Sequence, residues 1–113
     1  MVKKLFISQP MNGRTDEEIK EERYRITQEM VVRFPEDDIS VIDSFFEGAP
    51  VQNNPLWFLG KSLECLSGAD IAYFAPGWET ARGCYVEHHC AIQYGIPTVI
   101  TCNSDGKFEV IVS

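Results

Sequence analysis

The chain has 113 residues, 44% of them hydrophobic and 24% charged, which suits one globular domain spanning residues 1–113. Its net charge of −7, with no basic cluster longer than Lys3-Lys4, argues against nucleic acid as a partner, because the overall field repels phosphate backbones. A small anionic ligand would have to bind through local donors. No apolar run approaches the roughly 20 residues of a membrane span, so no membrane partner is expected. The cysteines, Cys65, Cys84, Cys90 and Cys102, form no CxxC pair, and Met1-Val2-Lys3-Lys4 enters a strand-like run without an apolar leader. Free thiols and a cytoplasmic location are expected.

Leu5-Phe6-Ile7-Ser8 reads as a buried strand that stops at Gln9-Pro10, followed by a short loop to Arg14. Thr15-Asp16-Glu17-Glu18 has the form of a capping box. The helix it opens carries apolar Ile19, Ile26, Met30, Val31 and Phe34, and it stops ahead of Pro35. Ile39 to Ile42 is the second strand, with Asp43 at its exit. Ser44 to Asn54 has no periodicity, and loops of this length often form lids or binding loops. Asn54-Pro55 is a helix start, and Leu56, Leu59, Leu63 and Leu66 form the stripe of a helix ending at Ser67-Gly68.

Asp70 to Ala75 is almost wholly apolar after its first residue, as expected of a strand covered on both faces. Pro76-Gly77 closes it. A helix follows from about Ala81 to Tyr94, stopped by Gly95. Pro97 to Thr101 is the fourth strand, and a turn at Cys102–Gly106 leads to a last strand at Phe108–Val112. The order β-α-β-α-β-α-β-β implies a doubly wound, mostly parallel sheet of four or five strands with helices on both faces and right-handed crossovers. A ligand crevice then lies beyond the carboxyl ends of the strands, among the loops Ser8–Arg14, Asp43–Asn54, Ala75–Thr80 and Thr101–Gly106.

Glu87 stands out within that frame. On the third helix Gly83, Glu87, Cys90, Ala91 and Tyr94 share the face suited to pack on the sheet, whereas Arg82, Tyr85, His89 and Gln93 share a solvent-facing one. A carboxylate on a packing face is costly unless partnered, so it either faces a ligand or escapes by reaching the rim or pairing with a cation such as Arg23. The segment before it opens a helix whose first amides suit an anion. Gly83 permits close approach there, while Trp78 offers either a stacking face for a base or a plug for the core. Ser8, Gln9, Met11 and Asn12 form the first loop of the crevice, as ligand contacts or as a plain connection. Phe45, Phe46 and Trp57 would close over a base or join the core. Cys84 and His88, four apart, make at most half a zinc site, and Cys84 near a helix start is a weak candidate nucleophile. His88-His89 reads as a pair of solvated or helix-packing side chains.

The run Ala69-Asp70, Pro76-Gly77-Trp78, Arg82-Gly83-Cys84, Glu87, Ala91 and Tyr94-Gly95-Ile96-Pro97, with the opening Phe6-Ile7-Ser8-Gln9-Pro10-Met11-Asn12-Gly13, resembles the nucleoside 2-deoxyribosyltransferase superfamily. The similarity spans about the whole chain and is closest to an uncharacterised phage and bacterial branch. It implies a Rossmann-like or flavodoxin-like fold that works as a homo-oligomer on nucleosides or nucleotides, with neither metal nor other cofactor. It also implies that Glu87 is the catalytic nucleophile toward the anomeric carbon of a 2-deoxyribosyl group, the base being exchanged or hydrolysed off. A carboxylate suits such a retaining displacement. The substrate-binding residues implied are Ser8, Gln9, Met11, Asn12, Asp43, Gly77, Trp78, Glu79, Arg82 and Gly83.

Two positions depart from the family pattern: Ala81 stands where a Ser or Asp often contacts sugar or phosphate, and Ser62 where an Asp often serves the base. Glu79, Asp43 and Tyr73 are the candidate substitutes, and Asp70, at the far end of its strand, reads as structural. A non-catalytic nucleotide-binding protein on the same scaffold is the alternative expectation.

Overall fold

The computed structural model describes residues 1–44, 55–102 and 107–111. Phe45, Phe46, Asn54, the body of the 44–54 loop and the turn at 103–106 lie outside these, as does Val112. Five strands, β1 (Val2–Ser8), β2 (Asp38–Val41), β3 (Ile71–Phe74), β4 (Thr98–Cys102) and β5 (Lys107–Ile111), alternate with three helices, α1 (Asp16–Arg33), α2 (Pro55–Ser67) and α3 (Arg82–Gln93). The sheet runs β2-β1-β3-β4-β5. Its first four strands are parallel and β5 returns antiparallel to β4. This is the doubly wound α/β, Rossmann-like arrangement that the alternation implies.

The helices form where local chemistry starts and stops them. The Thr15 side chain accepts from the Glu18 amide at 3.1 Å and the Glu18 carboxylate accepts from the Thr15 amide at 2.8 Å, so two otherwise unpaired donors are met reciprocally. At the far end of α3, Gly95 takes φ of 73°, which lets the Ile96 amide reach back to the Ala91 carbonyl at 2.9 Å. That turn is a Schellman stop, and only a residue at ease in the left-handed region closes it without strain. The Asp70 carboxylate accepts from the Lys4 amide at 2.8 Å at the amino end of β3, a structural role far from the crevice.

Each face of the sheet has its own core. Ile26 and Met30 of α1 pack on Leu5, Ile7, Ile71, Tyr73 and Val99. On the opposite face, Leu66 of α2 and Ala91 of α3 pack on Phe6, Ala72 and Phe74. Alternation along the strands sorts these side chains, and each fully buried large one contributes about 1.5–3 kcal/mol. Three expected core positions fall outside. Leu56 is 77% exposed in the first turn of α2, and Tyr94 is 83% exposed because the helix ends at Gln93 and the stop turns the chain away. Val31 lies on the outer side of α1 between buried Ile26 and Met30 and the helix end.

Candidate functional site

The strand order reverses between β1 and β3, the point at which α/β sheets open a crevice. Ser8 ends β1 there, directly paired with Phe74, and its carbonyl accepts from the Ala75 amide at 2.9 Å. The packing face of α3 brings Glu87 onto this edge. The Ser8 hydroxyl donates to Glu87 Oε1 at 2.5 Å, and the Ser62 hydroxyl of α2 lies near enough to favour the charged carboxylate. Glu87 is only 7% exposed, and its hydrogen-bond partner is the Ser8 hydroxyl rather than a cation.

Burial pushes the Glu87 carboxyl above the usual carboxylate range, and the two hydroxyls partly oppose that shift by stabilising the anion. Beside it, burial raises the Cys84 thiol to about 11, the nearby Glu87 charge adds to that, and a Ser8 hydrogen bond works against it. Cys84 at neutral pH is therefore a thiol, which removes it as a nucleophile.

Arg23 does not partner Glu87. Its guanidinium donates to Gln9 Oε1 at 3.1 Å, to the Ile7 and Ile42 carbonyls, and to Ser44 Oγ at 3.3 Å. Gln9 turns its amide into α1, donating to the Ile19 carbonyl at 3.0 Å and to Glu22 at 2.9 Å. Ser8 and Gln9, neighbours in the chain, thus face opposite ways: the hydroxyl toward α3 and the amide toward α1.

The other candidates lie on the loops that follow β1, β2 and β3 and at the start of α3. Met11 and Asn12 are exposed in the first loop, and Asp43 is exposed at the exit of β2. Gly77 is exposed with φ of 90°, and a Cβ built on it would lie 3.4 Å from Pro10 Cγ, so the first and third loops touch. Glu79 is exposed in the 3-10 turn Trp78–Thr80, and Arg82 is exposed at the first position of α3. Ala81 occupies the cap position of α3 and supplies no side-chain oxygen to the first amides. Gly83, one turn ahead of Glu87, faces open space: a Cβ there would meet nothing within 4 Å.

Trp78 lies over His88, with ring centres 4.1 Å apart and planes 30° from parallel, and Phe74 meets the His88 ring edge-on at 5.0 Å. Its aromatic partner is thus a side chain of the same protein, and it packs against the α2/α3 core. Burial lowers the His88 imidazole below its usual value, with Glu79 opposing and His89 adding, and its Nε2 is buried without a hydrogen-bond partner among the described residues. Of the two expectations for His88, solvation or packing, the ring packing on Phe74 and Trp78 is the one found. Tyr73 does not reach the crevice: it lies in the α1-side core and its hydroxyl donates to Glu29 at 3.1 Å. Strand alternation sends residue 73 to the face opposite Phe74. Trp57, half-exposed on α2, meets Phe58 edge-on.

Sequence reasoning missed Ser62 as a partner of Glu87 and the Arg14–Glu22–Gln9–Arg23 network. The substitution at Ser62 was the available signal, since a small hydroxyl on the inner side of α2 can serve a buried carboxyl. Among the described residues no group of three His, Cys, Asp or Glu side chains could hold a metal ion, and no helix is long and apolar enough to cross a membrane. No protein-family model, no curated protein and no solved structure matches the chain.

Proposed function

We propose that the protein acts on the N-glycosidic bond of 2-deoxynucleosides or their monophosphates, by transfer or hydrolysis, with Glu87 as nucleophile. The observation that supports this most is a buried carboxyl at the switch point, hydrogen-bonded by the Ser8 hydroxyl and one helical turn past the open space at Gly83. In the reaction the ionised Glu87 oxygen bonds the anomeric carbon as the bond from that carbon to the base nitrogen breaks. The base leaves with the electron pair and takes up a proton. Water or a second base then displaces the carboxylate, giving net retention after two inversions. Ser8 holds the Glu87 carboxyl in place, which limits the entropy lost in reaching the transition state.

Because burial raises the Glu87 carboxyl, the nucleophile forms only on deprotonation, so the rate climbs with pH through that ionisation. The exposed loop residues Met11, Asn12, Asp43, Glu79 and Arg82 are the proposed contacts to sugar, base or phosphate, and neither cofactor nor metal is invoked. A cytoplasmic homo-oligomer is proposed with this activity, and exposed Leu56, Tyr85 and Tyr94 on or beside α2 and α3 supply apolar surface for self-association.

Incubating wild type and Glu87→Gln with 2-deoxynucleosides and their 5-monophosphates, with and without an acceptor base, tests this by chromatography. Free or exchanged base from wild type alone is the expected result. Ala81 at the cap of α3, which supplies no side-chain oxygen toward sugar or phosphate, favours a second assignment, a nucleotide-binding protein without turnover. Retained nucleotide with no product from any substrate would establish that alternative and sink the first.

A further inference from the structure

We infer that Arg23 is a positioning residue that sets Glu87 through Ser8, by gripping the chain on both sides of that serine. Its Nη1 donates to the carbonyl of Ile7 and to the side chain of Gln9, the residues immediately before and after Ser8. Its Nη2 donates to the Ile42 carbonyl and Ser44 Oγ, so one planar group ties the exit of β1 to the exit of β2. A guanidinium does this because its donors lie in a fixed fork, whereas an ammonium is a single point.

The grip is braced from a second side. Gln9 is also held by Glu22, which accepts from Arg14 at 2.9 Å, and Arg14 donates to the Pro10 carbonyl at 2.8 Å. Residues 7–10 are therefore tied to α1 on one face of the sheet. On the other face the Ser8 hydroxyl makes its 2.5 Å contact to Glu87. A guanidinium withdrawn from water is expensive: burial lowers its pKa, and the Asp43 charge only partly opposes that. An apolar residue on this side of α1 would hold the core at less cost, and what it would lack is the tie across residues 7–9 and 42–44.

This inference rests on Glu87 as the working carboxyl and is tested without assaying turnover. Carboxyl-labelled glutamate gives a carbon resonance for each Glu, and Glu87 is assigned by its loss in Glu87→Gln. The titratable groups around Glu87 are Cys84 on α3, Cys65 on α2 and, through Cys84, Glu22 on α1; both thiols are raised and stay neutral across the carboxyl range.

Ser8→Ala should move the Glu87 titration further upward, since it removes a donor to the anion. Arg23→Met should reproduce most of that shift, and Arg23→Lys a smaller part. Arg23→Lys also carries the test if the Met variant does not fold. Met30→Ala, which empties core volume on the same helix, should lower Tm and leave the titration where it is in wild type. Glu87 titrating at its wild-type position in both Arg23 variants would overturn the inference. Product formation is read separately: no product from wild type, with the titration shift present, sinks the glycosidic proposal and leaves the positioning role standing.

Discussion

Ser8→Ala probes the contact on which the site depends, and its cost should change with pH in a defined direction. Ser8 is almost completely buried, so water does not replace the lost hydroxyl, and the change removes one hydrogen bond to Glu87. A hydrogen bond to a charged group is worth about 1.5–3 kcal/mol and one between neutral groups about 0.5–1.5 kcal/mol. In a chain of 113 residues one kcal/mol moves Tm by about 4 °C. The expected loss is thus about 6–12 °C where Glu87 is ionised and about 2–6 °C where it is protonated.

The direction follows from linkage. The folded Glu87 value is raised above the unfolded one, so as pH climbs the unfolded chain ionises first while the fold keeps its proton. Stability therefore falls across that window, and Ser8→Ala widens it by raising the folded value further. Thermal melts by circular dichroism, run from about pH 4 to about pH 8.5 on wild type, Ser8→Ala, Glu87→Gln and the double variant, read this out. An equal Tm loss at both ends of the range would refute the reasoning, as would a loss in the Glu87→Gln background as large and as pH-dependent as in wild type.

Gly77→Ala forces a side chain into the left-handed region within 3.4 Å of Pro10, and should cost about 1–2 kcal/mol in urea unfolding, with Gly77→Asn costing less. With its thiol raised to about 11, Cys84 should resist iodoacetamide at mildly alkaline pH in the native protein and label fully in denaturant, as read by peptide mass spectrometry. His88 has a folded value below its ordinary 6.5, so its contribution is present above that pH and is lost as acid protonates the unfolded chain first. Replacing His88 with Phe, which can keep the stack on Trp78, should flatten that part of the stability–pH curve; an unchanged slope would argue against the buried neutral ring.

Much of the fold was legible because its signals are local. The Thr15–Glu18 box, the stop at Gly95 and the apolar run of β3 each involve residues a few positions apart. Glu87 was legible for a related reason: helical spacing alone set it among Gly83 and Ala91 on the packing face. Its partners were not, because Ser8 and Ser62 lie 79 and 25 positions away and nothing local marks a hydroxyl as aimed at a carboxyl. The same limit hid the path of Arg23, whose four acceptors come from two strand exits. Helical spacing also overran its element at Tyr94, where a period says nothing about where the helix stops. Trp78 could be a stacking face or a core plug on sequence grounds, and only the fold, which sets the His88 imidazole against it, decides for the plug.

The interior place of β1, between β2 and β3, bears on how the protein is made. Leu5 pairs with Val41 on one side and with Ile71 on the other, so among the described strands β1 must wait longest during synthesis for its second neighbour. At the usual pace of synthesis the 66 residues separating Leu5 from Ile71 take about 3–13 s to add, far longer than a hairpin or helix needs to form. During that interval β1, α1 and β2 can associate as a two-stranded unit whose apolar β1 edge is still open. Nascent chains of this protein therefore carry a sticky edge for seconds, and arrival of β3 both closes it and brings Ser8 to the strand beside which Glu87 will dock.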